Sequence, residues 1–416
     1  MRRSNNSAIA WISILVAIAS AVGIYFVPVF KLWFLAILML NLLVSLAFSK
    51  RYSNAALTVC RLLVGALFIF SSFTKGVDPL GTKYKMLDYL AVYGMTGLKD
   101  VAMVLAVLMI LAEFIVGFCL IAKIFPRLAV LGATLLMLFF TVTTLFDALY
   151  DLVPDCGCFG TAIKMSNWQT FYKNLVIDAV LIPLIMNNRR LKNRLSTIVQ
   201  LLIAGAFALA FLGFEIYNYR HLPVVDFMNW KVGKQLSAEP TGEVRNYVKY
   251  RNKATGETME YLSPNYPWND SVWMSQWEFV EQRTEGGGNY LGFTAMDEDG
   301  NDVTDMLLST ENLLMFTSHD LSKVTEEEWM KVKAITEAAD QHGYYVVWAV
   351  ADQPDYVQHL RDKYEFLYEA YYADELEIKT IVRFNPGLIW LDNGLVKDKW
   401  SAIDFPQGKE LEELFE

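Results

Sequence analysis

Apolar positions dominate the first half of the chain in seven long runs, near residues 8–28, 32–48, 56–74, 100–122, 128–148, 169–186 and 196–217. Each has the length at which a helix crosses a bilayer, about 17 to 25 residues. Arg2 and Arg3 precede the first run as they would a signal peptide. No small-residue cleavage site follows, and the second run starts at once, so the segment reads as a retained helix.

After His221 the pattern changes. Residues 222–310 are polar and rich in Tyr, Trp and Gly, with weak alternation, which predicts short strands and loops. Within them Glu285-Gly286-Gly287-Gly288-Asn289 reads as a loop and Asp297-Glu298-Asp299-Gly300-Asn301 as a hairpin turn. From 311 the elements sharpen. Leu313 to Phe316 is a short buried strand, Thr325 caps a helix that stops at Gly343, and Tyr344 to Ala351 is a second strand. After more helix, Asn385-Pro386-Gly387 leads into the strand Leu388–Leu391, the turn Asp392-Asn393-Gly394 and the strand Leu395–Trp400.

Charge divides the chain at the same place. Up to His221 there are 19 Lys and Arg against 9 Asp and Glu, and after it 17 against 36. With 54% apolar residues over 416 positions, the chain is too apolar for a soluble protein and too long for one ordinary domain. The division predicts a mixed fold: a polytopic α-helical membrane bundle of about seven transmembrane helices, followed by a soluble α/β domain. The expected boundaries are a transmembrane hairpin over 1–50, a four-helix membrane domain over 51–190, a seventh helix over 191–221 and an extracytoplasmic domain over 222–416.

Lys and Arg in short loops orient the spans. Arg2 and Arg3, Lys50 and Arg51, Lys123 and Arg127, and Arg189, Arg190, Lys192 and Arg194 all abut helix ends on one side. That side is expected to be the cytoplasm. The other side carries Lys75, Lys83, Lys85 and Lys99 in a longer loop shared with Asp78, Asp88 and Asp100. The predicted location is a bacterial inner membrane, with the N-terminus cytoplasmic and the C-terminal domain periplasmic.

On that outer side lies Asp155-Cys156-Gly157-Cys158-Phe159-Gly160, with two of the four cysteines of the chain. Gly157 permits the tight turn that brings the sulfurs together. A disulfide closed over one residue is strained and easily reduced, as a redox pair requires. Idle thiols, a local staple or half of a metal site are the other readings, and no His or further Cys stands near enough to complete a zinc set. Asp147 and Asp151 nearby would raise a thiol pKa, whereas Lys164 or Lys173 would favour thiolate. Cys60 and Cys119 fall near the cytoplasmic surface, on the order of 20 Å or more from the pair, and read as apolar packing residues.

Ionisable groups inside the spans are the other chemical signal. Glu113 sits in the fourth run, Asp178 in the sixth and Arg61 in the third. Arg61 and Glu113 read as a structural ion pair or as the lining of a proton path or quinone head-group site. Nothing in the sequence suggests nucleic-acid binding, a phosphate loop, haem attachment or a soluble-enzyme triad.

Arg61-Leu62-Leu63-Val64-Gly65, Phe73-Thr74-Lys75 with Asp78-Pro79, Glu113-Phe114-Ile115-Val116-Gly117, the Cys-Gly-Cys-Phe-Gly motif, and Trp168 with Lys173-Asn174 together resemble the DoxX-like membrane proteins, and within them the MauE branch named for methylamine utilisation. The resemblance spans about 51–190. It implies a four-helix core and a part in maturing disulfide-rich secreted proteins, as MauE proteins are implicated in maturing the small subunit of methylamine dehydrogenase. It also implies kinship with quinone-linked disulfide generators. Those use two outer cysteine pairs, whereas this chain offers Cys156 and Cys158.

The strand and helix order from about 295 to 410 resembles thioredoxin, with Phe384-Asn385-Pro386-Gly387-Leu388 in the manner of its cis-proline loop. Where thioredoxin has Cys-x-x-Cys, this chain has Thr317-Ser318-His319-Asp320-Leu321, and no cysteine follows Cys158. Without a thiolate this domain performs no thiol exchange and reads as a binding platform. The function expected is a membrane thiol-disulfide redox or maturation factor for extracytoplasmic client proteins, with Cys156 and Cys158 catalytic and quinone as an electron partner. The alternative is a non-catalytic membrane scaffold whose thioredoxin-like domain binds a partner protein.

Overall fold

A computed structural model describes residues 2–26, 31–153, 156–193, 195–236, 245–253, 258–262, 267, 271–285 and 293–415. Asp155, Arg194 and most of the expected loop 285–289 lie outside the described residues. The chain divides into two units, Met1–Phe227 and Met228–Glu416.

The first unit is helical: α1 (Arg2–Phe26), α2 (Lys31–Phe48), α3 (Asn54–Val77), α4 (Pro79–Val92), α5 (Ala102–Ala122), α6 (Pro126–Tyr150), α7 (Asn167–Met186) and α8 (Thr197–Arg220). Polar caps set where several of them begin. Ser53 accepts from the Ala56 amide at α3, and Ser196 from the Val199 amide at α8. Asp78, followed by Pro79 in the first turn, caps α4. Ser166 and Gln169 form a reciprocal capping box at α7.

Among the described residues, five helices are long and apolar enough to cross a membrane: Asn54–Val77, Thr96–Ala122, Pro126–Tyr150, Asn167–Met186 and Thr197–Arg220. The chain is a multi-pass membrane protein. The first two expected spans coincide with α1 and α2, which are helical but are not among these five, so seven spans remain an expectation. A buried trio joins that hairpin: Ser13 Oγ lies 2.7 Å from Asn41 Oδ1 and 2.9 Å from Ser45 Oγ.

The close approach of α3 and α5 fixes the register of the bundle. A Cβ on Gly117 would fall 2.9 Å from the Gly65 carbonyl oxygen and 2.9 Å from the Ile69 nitrogen, so two glycines let the backbones touch. Four residues back along α3 from Gly65, Arg61 donates to the carbonyls of Leu120 and Ile121 on α5, the latter at 2.8 Å. The expected Arg61–Glu113 pair is therefore not formed. Arg61 closes the far end of α5, while Glu113 faces the other end of α3.

The second unit opens with an antiparallel sheet of β1 (Arg245–Asn252), β2 (Thr258–Leu262) and β3 (Trp277–Glu285), in the order β2-β1-β3, with the short α9 (Ser271–Gln276) before β3. Then come α10 (Thr304–Ser309), β4 (Leu313–Ser318), α11 (Glu326–Gln341), β5 (Tyr345–Val350), α12 (Pro354–Tyr364), β6 (Glu369–Tyr372), α13 (Glu375–Ile381), β7 (Gly387–Asp392), β8 (Leu395–Ser401) and α14 (Lys409–Phe415). The sheet runs β6-β5-β4-β7-β8, with β4, β5 and β6 parallel and β7 and β8 antiparallel.

This is the thioredoxin-like α/β domain expected from the pattern. Thr325 forms a capping box with Glu328, and the Asn385-Pro386 bond is cis. Every residue of β4 is buried, as befits a strand covered on both faces, and Trp329, Trp348 and Phe366 pack beside it. The parallel edge strand β6 has no counterpart in the sequence pattern. It has four residues, too few to show a period.

Candidate functional site

The loop between α6 and α7 carries Cys156 and Cys158, both free thiols and both partly exposed. Two left-handed glycines shape it, Gly157 at φ +62° and Gly160 at φ +54°, and the Gly160 amide donates to the Gly157 carbonyl at 2.9 Å. A Cβ on Gly160 would fall 2.9 Å from the Thr74 carbonyl oxygen, so the loop rests directly on the last turns of α3. Phe159 is buried beside it, with its ring 5.4 Å from Phe70 and the Lys173 ammonium 4.7 Å over its face.

Beneath the loop is a charged pair absent from the sequence reading. Lys75 Nζ lies 2.5 Å from Glu113 Oε1, with side-chain exposures of 5% and 1%. Ser71 Oγ lies 2.8 Å from Glu113 Oε2 and 2.9 Å from the Cys158 carbonyl oxygen, so its single proton serves one acceptor at a time. Ser71 and Lys75, four residues apart, share one face of α3 and join Glu113 to the loop. The sequence pattern groups Lys75 with the outer loop charges, yet it is almost wholly buried. Its i,i+4 relation to Ser71 at a helix end was the signal available.

The two thiols differ in character. A hydrogen bond from Cys156 lowers Cys158 to about 6, and Lys173 and Lys75 add to the effect against the opposing cost of burial. The same bond, with burial, pushes Cys156 well above the ordinary thiol range. The arrangement is a thiolate at Cys158 held by a thiol at Cys156 and two ammonium groups. Lys173 plays the part expected of it.

The loop is braced at its start as well. Asn167 Nδ2 donates to the Val153 carbonyl at 2.9 Å, and Tyr89 donates to Asp147 Oδ2 at 2.6 Å. Burial and that bond raise the Tyr89 pKa, so the phenol keeps its proton. Asp178 is held by Thr141 at 2.8 Å. Cys60 and Cys119 are buried in the apolar core of the bundle. Cys60 is eleven residues from Ser71 along α3, on the order of 16 Å at helical rise.

In the second unit, Asn385 of the cis-proline loop reaches across to residues 318–320. Its side-chain oxygen accepts from Ser318 Oγ at 2.7 Å and the His319 amide at 3.0 Å, and its nitrogen donates to the Asp320 carbonyl at 2.6 Å. Burial lowers His319 to about 4, so the ring is neutral near pH 7. The loop after β4 is thus tied to the cis-proline loop, with no thiol in it.

Fold and site together define a multi-pass helical membrane protein with a dithiol loop and a thioredoxin-like domain. The sequence profile of the family described as methylamine utilisation protein MauE matches residues 53–186, which takes in α3 to α7 and the dithiol loop. No curated relative matches the chain. A solved structure, the solution structure of a thiol:disulfide interchange protein from Bacteroides sp., is similar at 14% identity, covering 29% of this chain and 82% of that one, with a TM-score of 0.24.

Proposed function

We propose that this protein is a membrane-bound thiol-disulfide factor that oxidises or matures proteins outside the cytoplasm. It sits in a bacterial inner membrane with its N-terminus cytoplasmic and with the Cys156–Cys158 pair and the C-terminal domain periplasmic, as the Lys and Arg bias of the loops indicates. A client thiolate attacks the Cys156 sulfur of the oxidised pair, and the S–S bond breaks with Cys158 leaving as thiolate. A second client thiol then displaces Cys156 from the mixed disulfide, giving an oxidised client and a reduced pair. Two electrons pass from the client to the pair, and a quinone dissolved in the bilayer takes them on.

The observation that carries this reading is the unequal pair, with Cys158 lowered to about 6 beside Cys156, Lys173 and Lys75. A leaving thiol of low pKa departs faster, and a local staple has no use for such an arrangement. The thioredoxin-like unit serves as the client platform. Its loop after β4 holds no thiol and is clasped by Asn385, and this same feature favours the alternative of a scaffold that only binds a partner.

The test is equilibration of the full chain in membranes with graded dithiothreitol or glutathione buffers, followed by acid trapping and mass analysis of alkylated cysteines. The redox reading expects Cys156 and Cys158 to interconvert together across the series. A pair that stays oxidised throughout, or never oxidises, leaves the scaffold reading.

A further inference from the structure

Glu215 in α8 is a carboxylate shut inside the described part of the bundle. It is 1% exposed, and neither of its oxygens has a hydrogen-bond partner among the described residues. Beside it the rings of Phe211 and Phe214 meet the same point of α3, Gly76. α8 docks through stacked rings, Phe207 on Phe118 at 4.1 Å and Phe211 on Phe114 at 3.9 Å, and Glu215 lies one turn beyond Phe211. The rest of α8 presents Ile198, Leu201, Leu202 and Leu209 outward.

The position relates Glu215 to the dithiol. A Cβ on Gly76 would lie 3.6 Å from Glu215 Cγ, and a Cβ on Gly160 would lie 3.6 Å from the Lys75 Cα. The last turn of α3 therefore has the dithiol loop on one side and Glu215 on another. An ionised carboxylate with no partner at such a site carries a prohibitive desolvation cost, which a proton removes.

Proton accounting gives that acid a task, and the inference rests on the redox reading above. When the reduced pair closes its disulfide, two electrons go to the quinone, which takes two protons to become a quinol. The Cys156 thiol supplies one proton. Cys158 is already a thiolate, so the second proton has to come from another acid.

We propose that Glu215 is a protonated carboxylic acid of the membrane bundle and supplies this second proton, recovering it afterwards from the outer aqueous side. Glu113 is unsuited to the task, because it is paired with Lys75.

The test uses the full chain in lipid nanodiscs. A hydrophobic carbodiimide, which reacts with protonated carboxyls in apolar surroundings, labels Glu215 at neutral pH, and peptide mass locates the adduct. In the same preparation, oxidation of the reduced pair is followed with a short-chain benzoquinone and, separately, with the water-soluble oxidant diamide. The inference expects Glu215→Gln to slow oxidation by the quinone on the order of a hundredfold, the lower end of what a positioned general acid contributes. Oxidation by diamide stays at the native rate, which shows that the variant is folded, and Glu215→Asp restores part of the quinone rate. An unlabelled Glu215, or a Glu215→Gln chain as fast as the native one with quinone, overturns the inference and leaves the redox reading standing. A native pair that quinone does not oxidise removes the electron acceptor from the redox reading, and the role of Glu215 with it.

Discussion

Lys75 and Glu113 face each other at 2.5 Å inside the bundle, and Ser71 carries the contact on to the backbone of Cys158. An ion pair in so apolar a place costs desolvation that a pair of packed apolar side chains would avoid. Its position under the dithiol gives a reason for its presence: the ammonium stabilises negative charge on Cys158.

Removing one partner of that pair separates its two effects. Lys75→Met leaves Glu113 buried and unpaired, which costs about 3–5 kcal/mol, while Lys75→Met with Glu113→Leu recovers most of the loss. In both variants Cys158 titrates above its native value. Thermal unfolding in lipid discs reads the first effect, and the pH dependence of alkylation reads the second.

The reduced chain reacts with a neutral alkylating reagent at Cys158 first, and the rate depends on pH in one direction. The thiolate is the nucleophile, so reaction rises as pH passes up through about 6 and levels off above it. Cys156, raised by its bond to Cys158, stays a thiol over that window. A midpoint in the ordinary thiol range, or first reaction at Cys156, contradicts the assignment. Mass analysis of singly alkylated peptide distinguishes the two.

Gly160→Ala places a methyl group at φ +54° and 2.9 Å from the Thr74 carbonyl oxygen, where only backbone can yield. The loop lifts from α3, Cys158 loses its position beside Lys75, and its alkylation midpoint moves up. Gly157→Ala strains the turn at φ +62° but leaves Gly160 in place against Thr74, and has the smaller effect on the midpoint. The two alkylation profiles, compared with native, check the order.

In the thioredoxin-like unit, Asn385→Ala removes three hydrogen bonds between the cis-proline loop and residues 318–320. The expected loss is about 1–3 kcal/mol, from the partly buried groups left unpaired. Hydrogen exchange at Ser318 to Leu321 in the full chain rises accordingly, with little change at Val347 and Trp348.

The sequence displayed the bundle because lipid demands long apolar runs, and it displayed the α/β order because strand, cap and turn signals are local. Thr325, Gly343 and the Asn385-Pro386 loop all fell where the pattern placed them. The dithiol was visible as Cys-Gly-Cys, and Lys173 as an ammonium in its neighbourhood. The partner of Glu113 was not legible. Arg61 and Lys75 stand on the same helix fourteen residues apart, about 21 Å at helical rise, and only the Gly65–Gly117 crossing decides which of them Glu113 meets. Glu215 is illegible in the sequence for the same reason. In sequence it stands five residues from a helix end beside Tyr217 and Tyr219, and its enclosure depends on Gly76 and Phe211.

In the proposed function Cys156 and Cys158 form a reversible redox pair facing the outer compartment. Its most direct test is alkylation of the native membrane with a membrane-impermeant thiol reagent, before and after mild reduction, in the native chain and in Cys156→Ser and Cys158→Ser. A reversible outer pair gives little labelling before reduction, labelling of both cysteines after it, and a free thiol in each single variant without any reductant. Thiols that never react from outside, or a pair that mild reductant leaves closed, would contradict it.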